Sequence, residues 1–229
     1  MKKIVILTGA GISAESGIKT FRDADGLWEN HDVMEVASPQ GWEKDRALVL
    51  RFYNDRRNHL KDVQPNAAHK ALSELEAKYK VVVITQNVDD LHERGGSSHI
   101  IHLHGELAKM RSVMDDTKVY DCTKDIQVGD KAPDGYQLRP HIVWFGEMVP
   151  MLETAAKEVM SADIVMVIGS SMQVYPAAGL VEYAPDGVPV YYIDPKPTIN
   201  YELGRSANLK VLEEKATTGV RKVVNELLG

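Results

Sequence analysis

Six short runs of apolar, largely β-branched residues recur along this chain of 229 residues, separated by segments with helical periodicity. Apolar runs without regular alternation are typical of strands covered on both faces, as in a parallel sheet. Two of the intervening segments, 65–79 and 214–229, read as amphipathic helices. The runs occupy residues 4–7, 81–84, 100–103, 142–145, 164–168 and 188–193. The pattern predicts an α/β fold with a doubly wound, Rossmann-like parallel sheet.

Two stretches do not follow this alternation and predict a small lobe formed by two insertions. Residues 30–60 are charge-rich and helical by period, without a strand before them, and residues 108–140 are polar and turn-rich. We therefore expect a single domain over 1–229. Its large lobe would comprise about 1–28, 62–107 and 141–229, and its small lobe about 29–61 and 108–140.

Charge and cysteine content narrow the classes of function. Acidic residues outnumber basic ones by 33 to 27, which argues against nucleic-acid binding through the whole surface. Cys122 is the only cysteine, so neither an internal disulfide nor a cysteine-rich zinc site can form. No apolar stretch is long enough for a signal peptide or a membrane span. We expect a cytoplasmic monomer that binds neither membrane nor nucleic acid.

A glycine-rich turn follows the first apolar run directly. Gly9-x-Gly11-x-x-Ala14 fits the dinucleotide fingerprint and places backbone N–H groups where a phosphate can bind. The next residues form a loop that carries Arg22, and no second strand with a ribose-binding acid follows. An ordinary nicotinamide dehydrogenase is therefore the weakest option. A tight strand-to-helix turn without a ligand is the structural alternative.

Polar side chains follow the apolar run 81–84. Gln86, Asn87, Asp89 and Asp90 fall at the carboxyl end of the expected strand, where doubly wound sheets bind ligands. Amide and carboxylate groups suit ribose hydroxyls and a carboxamide. The alternative is a helix N-terminus with Asn87 or Asp89 as its cap.

Two histidines end the run 100–103. His102 and His104 are two residues apart, so they would share one face of a strand. A general base, a packed core histidine and a metal pair are the three interpretations. For a metal pair, the sequence shows no carboxylate or cysteine at a spacing that completes the site.

Six segments, taken in order and spacing, resemble the sirtuins, the Sir2-like NAD-dependent protein lysine deacylases. The resemblance runs from about residue 4 to the C-terminal helix. It is carried by "GAGISAESGIKTFR", "TQNVDDLHERGG", "HLHGEL", "PHIVWFGE", "GSSMQVYPAA" and "IDPKPT".

The resemblance implies NAD as cofactor and assigns its contacts. At the nicotinamide end, Phe21 would shield the reactive ribose face, Gln86 and Asn87 would hold the ribose, and Asp89 the carboxamide. At the other end, the diphosphate and the adenosine would be bound by Gly9, Ala10, Gly11, Arg22, Gly169, Ser170, Ser171 and Asp194. Asp194 stands where the family usually has asparagine, and a carboxylate still accepts from ribose hydroxyls.

The implied reaction is deacylation with Asn87 and His104 as catalytic residues. The acyl oxygen of a modified lysine would attack the ribose as nicotinamide leaves, and His104 would act as general base on the ribose hydroxyls. The products would be nicotinamide, O-acyl-ADP-ribose and free lysine. Two alternatives remain: a protein ADP-ribosyltransferase, and an NAD-binding sensor without turnover.

The resemblance also implies the substrate contacts. The polypeptide would dock as an added strand along Val143, Phe145, Gly146 and Glu147. "RFYNDRR" matches the Tyr-x-x-Arg signature of the branch that removes negatively charged acyl groups. Tyr53 and Arg56 would then bind the carboxylate of succinyl- or malonyl-lysine, in addition to a general activity on acetyl-lysine. The alternative is a solvated, charge-rich helix face.

One departure from the family is large. Most sirtuins hold the small lobe with a four-cysteine zinc site, whereas this chain has only Cys122 there, with Ser112 near the first expected ligand. We expect no metal in the small lobe. Packing would stabilise it, through residues such as Val119, Tyr120, Ile126 and Tyr136.

Overall fold

The computed structural model describes residues 1–19, 27–28 and 31–229. Its centre is a six-stranded sheet made of β1 (Lys3–Thr8), β4 (Lys80–Thr85), β5 (Ile100–His102), β9 (Ile164–Ile168), β10 (Val190–Ile193) and β11 (Leu209–Leu212). The strands have the order β11-β10-β9-β1-β4-β5, and all neighbouring strands run parallel. The predicted fold class, a doubly wound parallel sheet, is confirmed.

The other strands form two antiparallel sheets. A two-stranded ribbon pairs β2 (Leu27–Trp28) with β3 (His31–Asp32). A three-stranded sheet has the order β7-β6-β8 and contains β6 (Gly105–Ser112), β7 (Val119–Asp121) and β8 (Leu138–Ile142).

Eight α-helices lie in the described residues: α1 (Val33–Val36), α2 (Pro39–Lys44), α3 (Arg46–Leu60), α4 (Ala67–Glu74), α5 (Leu91–Arg94), α6 (Leu152–Met160), α7 (Tyr201–Gly204) and α8 (Ala216–Leu228). Short 3-10 segments occur at Ala10–Ile12, Ala14–Ser16, Leu75–Ala77 and Ala177–Tyr183. No helix of the described ranges has the length and apolarity needed to cross a membrane.

Both faces of the parallel sheet are covered, which explains the uninterrupted apolar runs. Every residue of β1 is buried. Val5 and Leu7 pack against α6 and the segment Ala177–Tyr183, whereas Ile4 and Ile6 pack against α4 and α8 on the opposite face. Successive residues of a strand point to opposite faces, so a strand between two helical layers must be apolar at every position.

Two predicted strands differ from the structure. The run 142–145 does not join the parallel sheet: β8 ends at Ile142 and pairs antiparallel with β6. The sixth parallel strand is β11, which the apolar pattern did not reveal. β11 lies at the edge of the sheet, and its residues are only partly buried or exposed, so a continuous apolar sequence is not required there.

A third apolar cluster joins α3 to the three-stranded sheet. Of the residues predicted to stabilise this region by packing, only Ile126 is fully buried. Tyr120 is half-buried, and Val119 and Tyr136 are exposed, so for these two the packing prediction is wrong. Cys122 is buried at the edge of this cluster. The division of the chain into two lobes stays a prediction.

Buried polar groups cross-link the same region. On α3, the guanidinium of Arg57 donates to the Leu107 carbonyl at 2.7 Å and to Asn54 Oδ1 at 2.9 Å. The Asn54 amide in turn donates to the Ile126 carbonyl at 2.9 Å and accepts from the Ile126 N–H at 3.0 Å. Arg57 and Asn54 are each only 5% exposed. These bonds tie α3 to β6 and to the turn-rich insertion.

Candidate active site

The site lies where the connections of the sheet change direction. From β1 the chain proceeds to β4 and β5 on one side and later returns to β9 on the other, so the turns after β1 and β9 form the switch point at which doubly wound sheets bind ligands. The Gly11 N–H donates to the Gly169 carbonyl at 2.8 Å. A Cβ on Gly11 would come within 2.6 Å of Gly169 Cα, and Gly169 has φ of +60°. Only glycine fits these positions.

A cleft of about 770 Å³ opens over this switch point. All of the predicted site residues that the structure describes line it. Phe21 and Arg22 lie outside the described residues. The glycine turn, the polar end of β4, the histidine loop and α3 thus contribute to one cleft. Whether each residue has the predicted role stays a prediction.

Ser13 connects the polar side chains that follow β4. Its fully buried hydroxyl donates to Asp89 Oδ2 at 3.0 Å, accepts from Asn87 Nδ2 at 3.2 Å, and lies 3.4 Å from His69 Nε2. Because the Asn87 amide nitrogen is turned toward Ser13, its Oδ1 is left to accept from a hydroxyl. No donor to this oxygen is recorded among the described residues.

The carboxyl group of Asp89 is buried and engaged on both oxygens. Oδ2 accepts from Ser13, and Oδ1 accepts from the N–H of Leu91, the first residue of α5, at 3.1 Å. Burial raises the pKa of this carboxyl group, which the two hydrogen bonds oppose. The N-cap residue of α5 is Asp90, so the alternative of Asn87 or Asp89 as the cap is wrong, although Asp89 accepts from the first N–H of the helix. The contact of Asp89 with a carboxamide stays a prediction.

His104 is oriented for proton transfer. Its Nδ1 lies 3.1 Å from the Gln86 carbonyl, which can only accept, so Nδ1 carries the proton and the neutral ring has its lone pair on Nε2. Burial lowers the pKa of His104, and the bond to Gln86 opposes this shift. The imidazole is therefore neutral near pH 7 and can accept a proton at Nε2.

This lowered pKa predicts the acidic limb of the pH profile. Protonation of Nε2 removes the base, so kcat/KM should fall as the pH drops through the pKa of His104. Because that pKa lies below the usual 6.5, the midpoint of this loss should lie below pH 6.5. A profile of kcat/KM against pH, with one acyl-peptide, measures this. A midpoint above 6.5 would contradict the prediction.

The far end of the cleft is built by the ends of β9 and β10. The Gln86 amide donates to Ser170 Oγ at 3.3 Å, and Ser170 is 5% exposed. Asp194, which follows β10, is 2% exposed and accepts from the Lys196 N–H at 2.8 Å. Ser171 also lines the cleft at this end. Hydroxyl and carboxylate groups at strand ends are suited to ribose hydroxyls.

Two residues of α3 reach the cleft from the opposite side. Tyr53 is fully buried, and its hydroxyl oxygen accepts from Trp144 Nε1 at 3.1 Å. The guanidinium of Arg56 lies 4.2 Å from the centre of the Trp28 ring. Burial raises the pKa of Tyr53, which keeps its hydroxyl protonated. Both side chains are three residues apart on one helix face, as predicted from the sequence.

Part of the backbone along the predicted docking edge is already hydrogen-bonded within the chain. The N–H groups of Val143 and Phe145 already donate to the carbonyls of His104 and Ala37, each at 2.9 Å. Gly146 has φ of +89° and turns the chain. Glu147 binds Arg139 through both oxygens, at 2.7 and 3.2 Å, so its carboxylate holds the loop in place. Docking along this edge stays a prediction.

Sequence reasoning missed three residues of the site. Ser13 lies inside the quoted glycine motif, but no sequence pattern shows that a serine in such a turn is buried and hydrogen-bonded to both Asn87 and Asp89. Trp28 and Trp144 line the cleft and are nearly buried. An aromatic residue in an apolar context cannot be distinguished from an ordinary core residue by sequence alone.

Comparison with known proteins agrees with this geometry. A model of the Sir2 family matches residues 9–176. A Helicobacter pylori protein named NAD-dependent protein deacylase is 57% identical over 100% of this chain and 98% of its own length. A protein of the same name from Bacteroides thetaiotaomicron is 53% identical over 100% of this chain and 99% of its length.

The solved structures give the same result. A crystal structure of a Sir2 homologue in complex with NAD superimposes with a TM-score of 0.87 and 39% identity, over 99% of this chain and 90% of that one. The likeness thus spans the parallel sheet and both insertions.

Proposed function

This chain belongs to the Sir2 family, and we propose that it removes succinyl and malonyl groups, as well as acetyl groups, from protein lysines. It is an NAD-dependent protein deacylase, as its relatives of similar length are named. The observation that supports the proposed acyl range is the placement of Tyr53 and Arg56 in the same cleft as His104.

The residues present fit NAD. The glycine turns after β1 and β9 approach so closely that a Cβ on Gly11 would clash with the backbone of Gly169, and both turns line the cleft, where their backbone suits a diphosphate. Asn87 Oδ1 and the carboxylate of Asp194 are acceptors for the hydroxyls of the two riboses. When bound, NAD supplies the ADP-ribosyl acceptor for the acyl group and nicotinamide as the leaving group.

The chain's own residues orient the substrate and move a proton. Asn87, held by Ser13, would fix the ribose hydroxyls that Nε2 of His104 deprotonates. Because the Gln86 carbonyl holds Nδ1, the ring cannot rotate without losing that bond. The base thus has one tautomer and one orientation before substrate binds, which lowers the cost of the proton transfer.

Tyr53 and Arg56 provide the charge complement for an acyl carboxylate. Because the Tyr53 hydroxyl oxygen accepts from Trp144, its own proton is left to donate, and no acceptor for it is recorded in the described chain. The Arg56 guanidinium lies over the Trp28 ring, which limits its motion and its hydration. A charged donor and a neutral donor on one wall suit a single carboxylate.

The substitution Arg56→Met tests this assignment. Hydrogen bonds to a charged group contribute about 1.5–3 kcal/mol, so kcat/KM for a succinyl-lysine peptide should fall by about 10- to 150-fold. For the matched acetyl peptide it should change less than about threefold, because acetyl carries no charge. The assay is NAD-dependent nicotinamide release on both peptides.

Arg51→Met on the exposed part of α3 is the matched control and should leave both rates unchanged. Equal losses of kcat/KM on both peptides would show that Arg56 does not recognise the carboxylate of the acyl group. A wild type that binds NAD but releases no nicotinamide with either peptide would exclude deacylation of these substrates and favour a sensor. Stable transfer of label from NAD to the protein would favour ADP-ribosylation.

We also propose that the enzyme works as a monomer in the cytoplasm. The single cysteine, Cys122, is buried and cannot form an internal disulfide, which fits a reducing compartment. Light scattering after gel filtration should give the mass of one chain. The mass of two chains would contradict the monomer.

A further inference from the structure

His102 lies between two carboxylates that the sequence pattern does not associate with it. Glu93 comes from α5, His102 ends β5, and Glu106 is the second residue of β6. One oxygen of each carboxylate and one ring nitrogen of His102 all lie within 4.8 Å of one another. Neither glutamate has a part in the mechanism derived above.

A bond outside this group fixes which ring nitrogen faces the carboxylates. Nδ1 of His102 lies 3.2 Å from the Asn87 carbonyl and must donate to it. Nε2 therefore faces Glu93, whose Oε1 is 2.7 Å away. An imidazole whose other nitrogen donates to a backbone carbonyl is the usual arrangement of a metal-ligating histidine.

Lys109 lies near enough to Glu106 to interact with it electrostatically, but its ammonium group binds Asp121 at 2.7 Å. No hydrogen bond or ion pair from a lysine or arginine to Glu93 or Glu106 occurs in the described ranges. Glu106 is half-buried, and its carboxylate accepts no hydrogen bond from the described residues. Elsewhere, comparable acids are paired: Glu74 binds Arg221, and Glu147 binds Arg139. Two negative charges thus converge on a single imidazole.

We propose that Glu93, His102 and Glu106 form a binding site for one Zn²⁺ ion. One imidazole and two carboxylates are ordinary zinc ligands, and water would complete the coordination. At metal–ligand distances of about 2.0–2.2 Å, tetrahedral ligand atoms lie roughly 3.3–3.5 Å apart. His102 and Glu93 must therefore separate slightly, and Glu93 is exposed and free to move outward.

Zinc at this site would act on the catalytic cleft through Asn87. The ring that binds the metal is the ring that donates to the Asn87 carbonyl, so a shift of His102 moves the backbone of a residue in the NAD site. Zn²⁺ should therefore slow nicotinamide release. This consequence rests on the proposed function, whereas metal binding does not.

Calorimetric titration of the metal-free full chain with ZnCl₂ tests the site. Wild type should bind one Zn²⁺, and Glu106→Gln and Glu93→Gln should each bind at least about tenfold more weakly. His99→Ala, an exposed histidine outside the group, is the control and should bind as wild type does. Circular dichroism checks that each variant is folded. Absence of zinc binding, or equal affinity in all four proteins, would overturn the site.

Co²⁺ gives a readout that does not depend on activity. Tetrahedral Co²⁺ should produce visible absorption in wild type and in His99→Ala, and this absorption should be lost in Glu106→Gln. In the deacylation assay, Zn²⁺ should inhibit wild type more strongly than Glu106→Gln. Equal inhibition of the two proteins would overturn the link to Asn87.

Discussion

Replacement of His104 by alanine is expected to lower kcat for NAD-dependent deacylation by about three orders of magnitude. A positioned general base contributes roughly 10²- to 10⁴-fold, and the structure supplies one oriented imidazole nitrogen at this point of the cleft. Nδ1 is held by the Gln86 carbonyl, so Nε2 is the atom that accepts the proton. NAD affinity should change little, because the glycine turns and Asp194 hold the cofactor elsewhere.

Two measurements separate catalysis from structure. Single-turnover rates on an acetyl peptide give the chemical step, and NAD titration gives the affinity. His99→Ala removes an exposed histidine and should leave both unchanged. A His104→Ala protein that keeps more than about a tenth of the rate would place the base on another residue. Loss of NAD binding with unchanged folding would make His104 a binding residue instead.

The sequence predicted the centre of the sheet because burial on both faces leaves an unambiguous pattern. β1, β4 and β9 each lie between two helical layers, and their apolar runs coincide with the observed strands to within about a residue or two. β11 was missed because an edge strand with partly exposed residues need not be apolar throughout. The run 142–145 was misplaced because apolarity does not reveal which partner a strand pairs with.

The candidate site was predictable where a motif fixes backbone geometry. Gly9 and Gly11 are required by the close approach of two turns, so their spacing alone carries information. The contacts of Glu147 and His102 were not predictable, because their partners depend on how separate elements are brought together. For His102, the sequence showed no suitably spaced carboxylate, yet the fold brings Glu93 and Glu106 to it.

In the region where most sirtuins carry zinc, buried hydrogen bonds of Asn54 and Arg57 on α3 connect the helix to β6 and to the turn-rich insertion. Asn54→Ala should lower the free energy of unfolding by about 3 kcal/mol, because it leaves the N–H and the carbonyl of Ile126 and one donor of Arg57 without partners in a buried setting. For a chain of this size the midpoint of thermal unfolding should fall by about 6–12 °C.

Asn58→Ala, one turn further along α3, removes the same side chain from an exposed position and should cost less than about 0.5 kcal/mol. In the Glu106→Gln variant, whose proposed zinc site lacks one ligand, chelator should not lower the midpoint, because Cys122 is the only cysteine and the cross-links are hydrogen bonds. Equal destabilisation by the two substitutions would show that the Asn54 amide contributes no more than a surface contact. A Glu106→Gln protein that melts earlier in chelator would require a structural metal in place of this network. A large loss of stability in Asn54→Ala, together with an unfolding midpoint of Glu106→Gln that chelator does not change, would mean that hydrogen bonds from α3 take the place of the metal in connecting the insertion to the sheet.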